Sequence, residues 1–70
     1  EAISAYKKAV ELDDKNAEAW YDLGVMLSQD RQRAEAVAAF NKYIDLVGTS
    51  KPVQVQGVRE QIKALGGTSH

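Results

Sequence analysis

Apolar residues recur along this chain in blocks of helical period, each closed by a polar or glycine-containing turn. In the first block Ala2, Ile3, Tyr6, Ala9 and Val10 share one face, while Ser4, Lys7, Lys8 and Glu11 share the other. Ala5 and Leu12 on the flanks widen the apolar sector to close to half the circumference, more than one neighbouring helix covers. The spacing predicts a helix over residues 1–12. Asp13, Asp14 and Lys15 then break the pattern as a polar turn, and Asn16 is placed to cap a second helix with Glu18 in its first turn. That helix is predicted over residues 17–29, with Trp20, Leu23, Gly24 and Leu27 as its packing stripe and Ala19 and Met26 at the edge. A short turn at residues 30–32 returns the third helix antiparallel. Over residues 33–47 this helix is predicted to bury Ala36, Val37, Phe40, Tyr43, Ile44 and Val47 and to expose Ala38, Asn41, Lys42 and Asp45. Gly48 stops it.

Residues 51–65 make a fourth helix. Val55, Val58, Ile62 and Leu65 form a single apolar stripe, and Gln56, Arg59, Glu60 and Lys63 cover the far side. Alternation across residues 53–56 would suit a strand, but the helical period runs over a longer stretch and outweighs it. Ser50 is expected to cap this helix, and Pro52 sits in its first turn, where a missing N–H does no damage. Gly66 and Gly67 end it, and residues 68–70 are expected to form a loose tail. The predicted fold is all-α, four helices stacked as antiparallel pairs.

One constellation carries further. Trp20 is followed by Leu23 and Gly24, and the third helix presents Ala36 and Phe40 one turn apart. Small residues beside large ones let two helix surfaces interlock. This spacing resembles the tetratricopeptide repeat. The resemblance is also internal. Shifted by the family's period of about 34, Glu1, Ala2, Ala5, Lys8 and Leu12 meet identical residues at Glu35, Ala36, Ala39, Lys42 and Leu46. Ile3 meets Val37, Tyr6 meets Phe40, Val10 meets Ile44 and Glu11 meets Asp45. The resemblance implies an α–α superhelix: residues 1–16 as the second half of one repeat, 17–50 as a complete repeat, and 51–70 as a C-terminal capping helix and tail. Leu27 and Gly48 stand where the family has Tyr and Pro. Arg31 stands where it has a turn glycine, and Tyr43 replaces the small residue that Ala9 supplies in the earlier copy. That last change implies that what packs beside the third helix is not another ordinary repeat.

In tetratricopeptide proteins the first helix of each repeat lines a concave groove that receives a peptide or partner protein. The resemblance therefore implies a protein-binding or scaffold module, with Glu18, Tyr21, Asp22, Val25, Ser28 and Gln29 facing the groove. This face of the second helix has no cation, so the carboxylate grip of some family members is not expected of it. A structural reading competes, in which the segment closes a solenoid or associates with itself and has no separate ligand. The sequence opens on Glu1 rather than Met, and more chain is expected before it. The broad apolar sector of residues 1–12 is then covered by upstream repeats, or by self-association through that helix.

Composition removes other classes. Nine basic and ten acidic residues give a formal charge of −1, and with Glu18 and Asp22 on the groove face no nucleic-acid partner is expected. The longest apolar run, residues 36–40, falls far short of the ~20 residues a membrane helix needs. There is no cysteine, and the lone His70 has no second ligand nearby, so no metal or other cofactor is expected. No nucleophile has a base to activate it, and Gly66-Gly67 lacks the lysine and flanking elements of a phosphate loop. No enzyme activity is expected.

Overall fold

The computed structural model describes residues 2–67, with side chains from Ile3 onward; Glu1, the side chain of Ala2 and the expected tail at 68–70 lie outside the described residues. Within this span lie four helices: α1 (Ala2–Leu12), α2 (Ala17–Gln29), α3 (Arg33–Val47) and α4 (Pro52–Ala64). They form an all-α stack of antiparallel pairs in which each helix packs on its neighbour in sequence, most extensively α2 on α3.

Local chemistry sets the boundaries. The Asn16 side chain accepts from the Ala19 N–H at 3.2 Å, a cap worth about 1 kcal/mol. Asp13 turns the chain by accepting from the Lys15 N–H, and the Trp20 indole donates to the Asp14 carbonyl at 2.8 Å, tying this turn to α2. α2 and α4 end alike. The Gln32 N–H bonds the Leu27 carbonyl and the Arg31 N–H bonds that of Ser28; Gly67 and Gly66 do the same to Ile62 and Lys63. Both motifs require a left-handed residue. α4 supplies Gly66 at φ 82°, whereas α2 places Arg31 there at φ 61°. One expected cap is corrected: the Ser50 hydroxyl donates back to the Val47 carbonyl and closes α3, while Lys51 occupies the α4 cap without a side-chain bond.

Val10, Leu23, Leu27, Ala36, Ala39, Phe40, Tyr43, Ile44, Val55, Val58 and Ile62 form the centre of the core, with Ala19 closing its edge. Trp20, Val37, Val47 and Leu65 are half-buried against it. Val37 and Val47 were expected to be buried, and two expected exposures on α3 also fail. Asn41 is buried rather than exposed, and Lys42 is half-buried. Burying Asn41 is tolerable because it has a partner; among the described residues no buried side-chain N or O lacks a hydrogen bond. On α1, Val10 is buried, Ile3, Tyr6 and Ala9 are half-buried, and Leu12 is 79% exposed. An exposed ion pair, Lys7 to Glu35 at 3.3 Å, links α1 to α3 and contributes little in water.

α2 packs closely on α3 at Gly24. A Cβ placed on Gly24 would lie 2.6 and 2.7 Å from two carbons of the Phe40 ring, which is 0% exposed and has nowhere to go. Gly24→Ala should therefore destabilise by about 1–2 kcal/mol, because overpacking outweighs a helix-propensity gain of about 1 kcal/mol. In a urea titration, Gly24→Ala combined with Phe40→Leu should cost less than the sum of the two single changes. A higher urea midpoint for Gly24→Ala would contradict the contact. At the end of α2, Arg31→Gly should stabilise by about 0.5–1 kcal/mol as left-handed strain is relieved, and Arg31→Val should destabilise. Thermal melts check both signs.

Candidate functional site

The six residues expected on the groove face of α2 do not share one environment. Glu18 and Gln29 are exposed, whereas Tyr21, Asp22, Val25 and Ser28 are half-buried. Tyr21 and Val25 also pack against the core. The Tyr21 ring lies 6.0 Å from that of Phe40 and 5.5 Å from that of Tyr43, tilted by 56° and 54°. Only Glu18 and Tyr21 of the six line a cleft of about 370 Å³ between α2 and α4; Asp22, Val25, Ser28 and Gln29 lie outside its lining.

The rest of the lining was not among the sequence candidates. Ala17 comes from α2, Tyr43 from α3, and Lys51, Gln54, Gly57, Val58 and Gln61 from the start and inner flank of α4. The α4 helical residues follow the i, i+3, i+4, i+7 spacing of one helix face, so a regular helix brings them together. Val58 closes the floor at 1% exposure. A Cβ on Gly57 would meet nothing within 4 Å, so this glycine widens the cleft rather than admitting a packed neighbour. Its position was a legible signal: glycine in the middle of a helix costs about 1 kcal/mol and calls for a reason. Lys51 adds a cation opposite the α2 face, which itself has none.

A second cleft, of about 340 Å³, opens between α1 and α3 beside Lys7 and Glu35. Its lining is mainly apolar, from Val10, Trp20, Leu23, Leu27, Ala38 and Ala39, and it has fewer polar groups to orient a guest than the α2–α4 cleft. Among the described residues no group of three His, Cys, Asp or Glu could hold a metal, and no helix is long and apolar enough to cross a membrane.

Two family profiles match the sequence, one described as TPR repeat over residues 1–30 and one as tetratricopeptide repeat over residues 17–46. No curated protein and no solved structure matches the chain.

The chemistry of the cleft shows in Tyr43. Burial raises its phenol above the ordinary tyrosine value, and Tyr21 and the Glu18 carboxylate push in the same direction. The unfolded chain then ionises Tyr43 at a lower pH than the folded protein does. The stability that this neutral phenol contributes is complete below about pH 10 and is lost as pH rises from there through the folded-state value. Tyr43→Phe should flatten the decline in stability above about pH 10. Urea midpoints taken from pH 8 upward check this, and an unchanged slope in the variant would contradict it.

Proposed function

We propose a function from one premise: the chain belongs to the tetratricopeptide-repeat family. Repeats of this family are generally protein–protein interaction modules, and nothing shows catalysis here. The proposed role is a non-enzymatic scaffold that receives a peptide or partner protein in the groove lined by α2 and α4. In this reading residues 1–16 are the second half of a repeat, 17–50 a complete repeat, and 51–70 the capping helix and tail. The groove face of α2, with Glu18, Tyr21, Asp22, Val25, Ser28 and Gln29, then extends the cleft along the helix. The observation that carries the proposal is the cleft over Gly57, with Gln54 and Gln61 on one wall and Tyr21 and Tyr43 on the other. Its volume suits one or two peptide side chains, and its walls mix apolar rings with hydrogen-bonding amides.

A second reading, self-association through residues 1–12, draws on Leu12 at 79% exposure and on the half-buried Ile3 and Tyr6. It concerns the far end of the stack and is compatible with the first.

Gly57→Leu tests the groove cleanly, because stability and binding should move in opposite directions. Filling open space at a helix centre should raise the melting temperature by several degrees while blocking the cleft. Peptides selected from a displayed random library on the unaltered chain should then lose binding to Gly57→Leu. If they bind the variant as well as the parent, the α2–α4 cleft is not the site.

A further inference from the structure

Resting on that groove reading, we propose that the α2–α4 cleft holds, at Glu18 and Tyr21, a seat for an arginine side chain presented by the partner. The half-buried Tyr21 ring stands there, backed by the Tyr43 ring 5.5 Å away, which is 6% exposed, and Glu18 lies one helical turn before Tyr21 on the same lining. Among the described residues Glu18 carries no ion pair, so its carboxylate is free to take a charged guest. A guanidinium is planar, stacks on aromatic rings and gives a carboxylate two parallel hydrogen bonds, so it matches both features at once. An anionic side chain would instead meet the carboxylate and the electron-rich rings. The Tyr43 phenol is raised first by burial, and then by Tyr21 and Glu18, whose smaller push runs in the direction that disfavours added negative charge.

The opposite wall suits the chain that carries such a residue. Gln54 and Gln61 are seven residues apart, about 10.5 Å along the helix axis, which an extended peptide spans in about three residues. Each amide can donate to a carbonyl and accept from an N–H of that peptide. Open Gly57 between them leaves room for the central residue. Lys51, at the exposed start of α4, is a like charge at the rim and works against the guest.

Titration of the chain with a blocked Gly-Arg-Gly tripeptide, followed by NMR, tests the assignment. Signals of Glu18, Tyr21, Tyr43, Gln54 and Gln61 should shift, and the arginine peptide should bind about tenfold tighter than its neutral isostere Gly-citrulline-Gly. Glu18→Gln should erase that difference while leaving the melting temperature close to that of the parent. Lys51→Ala should strengthen the arginine peptide by about twofold. Equal affinity for the arginine and citrulline peptides at these residues, or tighter binding of Gly-Glu-Gly, overturns the arginine assignment and leaves the groove standing. Absence of shifts at these residues with any of the three peptides, while the library-selected peptides do shift them, likewise overturns the arginine seat alone. Absence with the selected peptides as well overturns both.

Discussion

The distance at which α2 passes α3 governs the molecule. Gly24 lets the Phe40 ring lie against the α2 backbone, closer than any side chain at position 24 would permit. Phe40 also touches Tyr21, and Tyr21 reaches Tyr43, so an aromatic chain runs from the centre of the core to the wall of the α2–α4 cleft. Moving the first ring displaces the others, because interiors are close-packed and transmit strain. The groove is thus an outer consequence of a core contact. Tyr21 belongs to both the core contact and the cleft wall, so deleting it would not separate the proposed binding from stability.

Around that contact the chain accepts two local costs of backbone conformation. Arg31 holds a left-handed conformation that Gly66 adopts freely in the matching motif of α4. Gly57 weakens the centre of α4 and packs against nothing. Gly67, by contrast, is needed for docking: a Cβ there would lie 2.4 Å from a Val37 methyl, so the end of α4 closes on α3 only with glycine. The cost at Gly57 coincides with the cleft, and such departures from local preference concentrate at functional sites. The strain at Arg31 lies in an exposed turn, and nothing in the structure explains the choice of arginine there.

The fold was legible because helical period, short polar turns and the Asn16 cap all pointed the same way. The bounds of α2 and α3 agree with expectation, and α4 falls one residue inside its expected range at each end. The 34-residue self-similarity supplied the relation between helices that periodicity alone cannot. Burial on α3 was less legible. Asn41 reads as a solvent residue by type, and its burial depends on a partner that a one-dimensional pattern does not show. Less of the cleft was legible, since two of the six expected residues line it. Glu18 and Tyr21 follow from the face of one helix, but Lys51, Gln54 and Gln61 reach the cleft only through the placement of α4 on α3. Tyr43 stands out in the sequence as a large residue at a small-residue position, but its place in the cleft wall depends on how α4 docks.

The most direct measurement of this account is the proton environment of Gly24 in solution. With the Phe40 ring against the α2 backbone, a Gly24 Hα should be displaced by ring current and show strong nuclear Overhauser contacts to the Phe40 ring, alongside contacts between the rings of Tyr21 and Tyr43. Gly24 Hα resonances at ordinary helical positions, with no Overhauser contact to Phe40, would contradict the helix approach on which the core and the cleft depend.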